Sequence, residues 1–305
     1  LRLDPYTEIL PLMGSKEGIA KLPLAFLDPG DAAVIPDPGY QAYQGGVILA
    51  GGEPYLVPLR TENDYLIPLD EIPDDVRSRL GLMYLNYPNN PTAATAPPEY
   101  LRHVVDFCRR YDAVLVHDHA YSEIAFDGYR PPSILEIEGV DGIALEFHSF
   151  SKTYNMTGWR LGYCAGPSAI METMFLVLQQ SSRGPVTYVQ DAASAALEGS
   201  QETVVAMRQE YERRCSQVCE VLDGIPSVSV VVPEGGFFAM LDVRELAMSS
   251  DRIRRKLLQE YEVVVIHGAA YGESAEGTLR VSFASGGDNL PVSYTHLTLP
   301  TILLV

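Results

Sequence analysis

This sequence is short of basic residues and of paired cysteines. Lys and Arg together number 22 against 40 Asp and Glu, a formal net charge of −18. Nucleic-acid binding needs a basic face to meet phosphates, so this balance argues against a nucleic-acid partner. The four cysteines, Cys108, Cys164, Cys215 and Cys219, make no Cys-x-x-Cys and no metal-ligand spacing. They read as reduced, mostly buried thiols, which points to a cytoplasmic protein. No apolar run reaches the about 18 residues of a membrane helix, and no leader pattern opens the chain, so no membrane partner is expected. Neither a Walker A nor a Gly-x-Gly-x-x-Gly pattern occurs, which disfavours a nucleotide phosphate.

What is present fits a globular chain. The 305 residues suffice for two domains, and 47% hydrophobic with 20% charged residues is the balance of a packed core inside a polar surface. Strand-like runs at 33–35, 53–58, 82–85, 113–117, 143–148 and 161–165 alternate with helical patterns at 16–27, 41–50, 98–111, 168–180 and a long one at 187–222. Pro23 is expected to kink the first helix. Such alternation predicts an α/β fold, a mostly parallel sheet wrapped by helices. After residue 222 the runs at 227–232, 237–242, 262–266 and 278–284 surround one helix at 250–261, which predicts a smaller α+β domain over 223–290. Residues 291–305 lack Lys, Arg, Asp and Glu and show no helical period; the expectation is a non-native tail in place of a terminal helix.

The chemistry concentrates at Ser149-Phe150-Ser151-Lys152-Thr153, with Arg160 eight residues beyond Lys152. A lone lysine after a strand is ordinarily a surface group. Beside Ser149, Ser151 and Arg160 it has the makings of a pyridoxal-phosphate (PLP) anchor: an amine for an imine, and hydroxyls and a guanidinium for the phosphate. A Ser-x-x-Lys hydrolase is the rival, but it needs Ser-Asp-Asn and Lys-Thr-Gly partners that the chain does not contain.

Further segments suit the same cofactor. Gly14-Ser15-Lys16 opens a helix, where free N–H groups attract anions; a plain N-cap explains it equally. Asp118 ends an apolar run, where α/β sheets bind ligands, and can hold a pyridinium nitrogen protonated. Tyr121 and Asn90 can bond a phenolic oxygen, although Asn90 also fits a simple Pro/Asn turn. Tyr40 can stack on a ring or merely pack in its loop. Arg280 is suited to clamp a carboxylate, and periodicity does not say whether it faces solvent. His117 and His119 form a His-x-His pair for which no third ligand suggests itself, so no metal site is expected.

In order along the chain, Gly-Ser-Lys, Pro38-Gly39-Tyr40, Asn90-Pro91-Thr92, Asp118-x-x-Tyr121, Ser149-x-x-Lys152 and Arg160-x-Gly162 resemble the fold-type-I, PLP-dependent class I/II aminotransferases over residues 1 to about 290. The resemblance implies the PLP-dependent transferase fold, with residues 1–222 as a cofactor-binding large domain that includes a long linking helix. It implies Lys152 as Schiff-base lysine and proton shuttle, Asp118 on the pyridine nitrogen, and Tyr121 and Asn90 on the phenolic oxygen. Tyr40 would stack on the ring. Gly14, Ser15, Lys16, Ser149, Ser151 and Arg160 would surround the phosphate, with Tyr40, Asn90 and Arg280 meeting the substrate.

An amino acid and a 2-oxo acid would be the substrates, and a homodimer the full-length form. Phrases such as Gly14-Ser-Lys-Glu-Gly-Ile-Ala20 and Ser151-Lys-Thr-Tyr-Asn-Met-Thr-Gly-Trp-Arg160 are most similar to the LL-diaminopimelate aminotransferase subgroup, which uses 2-oxoglutarate in lysine biosynthesis. There are departures: Ala93 stands where glycine usually follows Asn-Pro-Thr, His267 precedes Gly268 where proline is usual, and the family's long N-terminal portion is expected ahead of residue 1. A β-lyase or decarboxylase of the same fold, or a truncated PLP-binding domain with little turnover, are the alternatives.

Overall fold

The structure, a computed structural model, describes residues 1–285; the atypical tail at 291–305 lies outside them. Along the chain run β1 (Ile9–Leu12), α1 (Ser15–Lys21), α2 (Pro23–Phe26), β2 (Ala32–Asp37), α3 (Gln41–Leu49), β3 (Glu53–Pro58), α4 (Asp74–Arg77), β4 (Leu80–Leu85), α5 (Pro98–Arg110), β5 (Val114–Asp118), β6 (Ala144–Ser149), α6 (Phe150–Thr153), β7 (Gly162–Ala165) and α7 (Ser168–Ser181). Seven strands form one sheet in the order β1-β7-β6-β5-β4-β2-β3. Strands β3, β2, β4, β5 and β6 pair in parallel, while β7 is antiparallel to both β6 and β1. This is the mixed, mostly parallel sheet that the helix–strand alternation predicts.

Strand β1 escapes sequence reading because it is four residues long and contains Pro11. An edge strand tolerates proline, since one row of its N–H groups needs no partner. Proline acts differently at residue 23. It has no N–H to continue a helix, so the expected 16–27 helix divides into α1 and α2 at Leu22.

Side-chain alternation gives the central strands two different faces. One face carries Ala33, Ile35, Leu82, Tyr84, Val116, Leu145 and Phe147 against Ile19 of α1, Tyr43 of α3 and Met174 of α7. The other carries Val34, Met83, Leu85, Leu115 and Ala144 against Leu101, Val104, Val105 and Cys108 of α5. Those four α5 residues fall at helical spacing, and Pro98 at its first turn costs no hydrogen bond. By the same alternation Asp118 and Ser149 share the first face, and His117, Glu146 and His148 the second.

The chain continues through α8 (Thr187–Glu198), α9 (Glu202–Asp223), β8 (Ser229–Val231), β9 (Phe238–Asp242), α10 (Ser250–Tyr261), β10 (Ile266–His267) and β11 (Thr278–Ser282). The expected single helix over 187–222 is corrected to two. Gly199 leaves helical geometry at ψ 175, and Gln201 Nε2 donates to the carbonyls of Ala196, Leu197 and Gly199 at the end of α8. Strands β10-β11-β9-β8 form an antiparallel sheet. Its core includes Tyr211, Cys215, Val218 and Leu222 of α9 along with Tyr121 and Ile124, so it draws on residues well before 222. No described helix is long and apolar enough to cross a membrane.

Candidate active site

The carboxyl ends of β4, β5 and β6 open onto a cavity of about 360 Å³ between the two sheets. Ser15, Tyr40, Asn90, Asp118, Tyr121, Ser149, Lys152 and Arg280 all line it. Ligands of α/β sheets bind at this end because the following loops diverge there. Gly14, Lys16, Ser151 and Arg160 are not part of that wall. Gly14 and Arg160 nevertheless meet beside Ser15: a Cβ on Gly14, which has φ +81, would fall 2.7 Å from Arg160 Nη2. Lys16 Nζ sits 5.6 Å from the Tyr40 ring centroid. Ser151 is buried and its carbonyl accepts a hydrogen bond from Thr157 Oγ1 at 3.1 Å.

Asp118 is 5% exposed. Its Oδ2 accepts a hydrogen bond from the Tyr43 hydroxyl at 2.8 Å, whereas its buried Oδ1 has no partner. An unsatisfied buried oxygen costs roughly 1–3 kcal/mol, which makes Oδ1 a candidate acceptor for a bound donor. Burial raises the Asp118 carboxyl; the Tyr43 hydrogen bond and the charges of His117 and Lys152 oppose that shift. The loop after β4 is tied to the same strand end: Asn86 Nδ2 donates to the Asp118 carbonyl at 2.7 Å, and Asn86 Oδ1 accepts from Asn90 N at 2.8 Å. Ala93 in this loop has φ 63, a conformation that glycine adopts more readily.

Lys152 lies on α6, the short turn that follows β6, with its Nζ 5.3 Å from the Phe237 ring and 5.8 Å from the Tyr121 ring. Burial lowers its pKa, the positive Arg280 and Arg160 lower it further, and Asp118 pulls the other way. A lysine so placed sheds its proton at lower pH than a solvated one and becomes a nucleophile.

Arg280 on β11 donates from Nη1 to Asn90 Oδ1 at 2.7 Å. Its guanidinium lies 5.0 Å from the Phe238 ring and 4.8 Å from the Tyr271 ring, and its buried Nε has no partner. Such a rigidly held fork suits a planar carboxylate.

Sequence reading misses several members of this site. Tyr43 sits three residues after Tyr40, a helical spacing that could have drawn attention to it. Asn86 directly follows a buried strand. Tyr271 comes from a loop far along the chain, joined to the site by its carbonyl accepting from Gly39 N at 2.9 Å, and carries no local signal.

The second face of β5 and β6 bears a separate polar cluster. Glu146 accepts from His117 Nδ1 (3.2 Å), His148 Nε2 (2.8 Å), Ser133 Oγ (2.9 Å) and Ile134 N (2.7 Å). His119 Nδ1 lies 3.2 Å from His117 Nε2. Glu146 is thus the third group that the His-x-His pair lacks in sequence, and the donor atoms of His117, His119 and Glu146 lie within 4.8 Å of one another. Their mutual hydrogen bonds already satisfy them and account for the cluster. A larger cavity of about 780 Å³ opens beside His119 and His148, but Lys152, Asp118 and Arg280 are not in its wall. Those three line the smaller cavity instead.

Burial alone would raise Glu146; the hydrogen bonds from His117 and His148 and the charges of His119 and His148 outweigh it and hold the carboxyl well below its usual range. A depressed folded value stabilises the fold above the unfolded pKa, and that contribution is lost as pH falls through the folded value. Glu146→Gln is therefore expected to lose about 3 kcal/mol of stability at pH 7. The gap to the parent should narrow below the ordinary glutamate value of 4.5. Urea unfolding at both pH values checks this; an equal gap at both would contradict it.

Comparison with known proteins gives consistent likenesses. A profile of the family described as Aminotransferase class I and II matches residues 1–290. An LL-diaminopimelate aminotransferase from Desulforudis audaxviator is 43% identical over 305 residues, all of this chain and 74% of its own length. One from Aquifex aeolicus is 41% identical over 280 residues, 92% of this chain and 72% of its own length. Among solved structures, an aromatic aminotransferase from Pyrococcus horikoshii superposes with a TM-score of 0.92 at 33% identity, covering 98% of this chain and 80% of its own. Substrate-bound BacF from Bacillus subtilis superposes at 0.94 with 32% identity, covering 98% and 76%.

Proposed function

The chain belongs to the class I and II aminotransferases, PLP-dependent enzymes that exchange an amino group between an amino acid and a 2-oxo acid, and from that premise we propose that its amino donor is LL-diaminopimelate and its acceptor 2-oxoglutarate. The shared name of the curated relatives supports the donor. The observation that carries the site assignment is one cavity holding a lysine of lowered pKa, a carboxylate with one free buried oxygen, and an arginine fixed on three sides.

The residues present fit PLP. The orphaned Asp118 Oδ1 needs a donor such as a protonated ring nitrogen. At the other end, the bare Gly14 backbone beside Arg160 leaves room that a side chain would fill. When bound, PLP supplies an aldehyde that captures amines and a ring that takes up electrons.

Each group then has a task. Lys152 would hold PLP through its amine when no substrate is present, and would afterwards move the proton at the substrate Cα. Asp118 keeps a proton on the ring nitrogen. Tyr121 and Asn90 would bond the phenolic oxygen, and Tyr40 would stack on the ring. Gly14, Ser15, Lys16, Ser149, Ser151 and Arg160 form the phosphate end: Ser15 and Ser149 from the cavity wall, Arg160 from beside Gly14, the rest by shaping the loop. Arg280, clasped by Asn90, Phe238 and Tyr271, binds the α-carboxylate with Nη atoms, which places the Cα–H toward Lys152. Homodimerisation belongs to the same proposal; exposed Phe175, Leu176, Val186 and Tyr188 on and beside α7 and α8 support it.

The test is a half-reaction with the PLP-loaded protein. LL-diaminopimelate is expected to convert bound PLP to pyridoxamine phosphate, and 2-oxoglutarate to restore it with release of glutamate. A protein that ignores LL-diaminopimelate but reacts with an aromatic amino acid would contradict the substrate assignment.

A further inference from the structure

We infer that Tyr43 is a positioning residue for the reaction: its hydroxyl fixes one oxygen of Asp118 so that the other meets the cofactor's ring nitrogen, while its ring braces Tyr40. This rests on the PLP reading above and extends it to a side chain outside the cavity wall.

The geometry is specific. Tyr43 is fully buried, in the first turn of α3, and donates to Asp118 Oδ2 at 2.8 Å. Its ring stacks on Tyr84 with centroids 4.8 Å apart and planes 20° from parallel. Tyr84 is itself anchored, its hydroxyl donating to the Ile19 carbonyl at 3.4 Å. Ring stacking therefore sets the direction of the Tyr43 O–H, and the O–H in turn sets the rotation of the carboxylate. With Oδ2 committed, Oδ1 is the only acceptor left, and it is the buried atom without a partner. A carboxylate without this tether could turn either oxygen, or neither, toward the ring nitrogen.

The second contact couples the two sides of the ring site. Tyr40 meets Tyr43 edge to face at 5.7 Å and 83°. The spacing of three residues puts both on one side of the start of α3, where Tyr43 N donates to the Tyr40 carbonyl at 3.0 Å. One buried tyrosine thus supports both the side chain proposed to stack on the cofactor and the carboxylate proposed to bond its nitrogen. Its hydrogen bond also opposes the rise that burial imposes on Asp118, and so favours the ionised form.

The test compares the parent, Tyr43→Phe, Asp118→Asn and the double variant, each loaded with PLP labelled with ¹⁵N in the ring. In the parent the ring nitrogen should resonate as a pyridinium. In Tyr43→Phe it should move toward the neutral pyridine position, and the half-reaction should slow about 10- to 100-fold, the range for losing a hydrogen bond to a charged group. In the Asp118→Asn background, Tyr43→Phe should add nothing further, because its effect passes through the carboxylate. The double variant has no buried carboxylate left without its Tyr43 donor, so it keeps the cycle readable if Tyr43→Phe alone folds poorly. An unchanged ¹⁵N position in Tyr43→Phe, or rate losses that simply multiply in the double variant, would overturn the inference. A parent that takes up no PLP would instead overturn the function proposed above.

Discussion

Lys152→Ala is expected to reduce multiple-turnover transamination on the order of 10⁴-fold, while the protein still folds and still binds PLP weakly through its remaining contacts. The side chain contributes twice. In the role proposed for it, its amine would hold the cofactor and the same nitrogen would move the proton at the substrate Cα. No other lysine lines the cavity, so neither task passes to a neighbour. The environment explains why this lysine can act near neutral pH. Burial and the positive Arg280 and Arg160 lower its pKa. The neutral amine therefore gains population at lower pH than a solvated lysine would, and the rate of PLP capture should rise with pH through that lowered value. Capture measured by absorbance across pH checks the direction; a profile matching a free lysine near 10.5 would contradict it.

Asp118→Asn is expected to slow the half-reaction by about 10²–10³-fold, the usual cost of losing one preorganised electrostatic partner. The substitution keeps the shape of the group. An amide oxygen can still accept from Tyr43, and its NH₂ can still face the ring, but the negative charge is gone. A neutral partner no longer holds the proton on the ring nitrogen, so the ring accepts electrons less readily when the Cα–H bond breaks. Binding of the substrate carboxylate, the role proposed for Arg280 on the small sheet, should change little. Single-turnover kinetics separate the two effects: the maximal rate falls and the substrate concentration for half-saturation stays within a fewfold. A loss confined to substrate affinity would contradict this role for Asp118.

Much of the site is legible in the sequence because its members sit where strands end. Asp118 closes β5 and Ser149 closes β6, with Lys152 one short turn later. Parallel pairing of β4, β5 and β6 brings those ends together without further information. What is not legible depends on tertiary contact. Tyr43 looks like any tyrosine on a helix until β5 brings Asp118 to its hydroxyl. Tyr271 reaches Arg280 only because the small sheet turns back over the end of β2, where Ser274 Oγ donates to the Asp37 carbonyl. Glu146 joins His117 because β5 and β6 pair in register His117 to Glu146, a relation between strands that spacing along one of them does not reveal. The helix expected over 187–222 reads as continuous because its apolar period persists across Gly199, yet the backbone there turns out of the helix.

The central claim is that Lys152 is the amine that carries the cofactor. Borohydride reduction of the PLP-loaded protein, followed by digestion and mass spectrometry, locates the pyridoxyl group directly. One stoichiometric label is expected, on the peptide containing Lys152 and absent from Lys152→Ala. A label on Lys16 or another lysine, or no label after full loading, would contradict it.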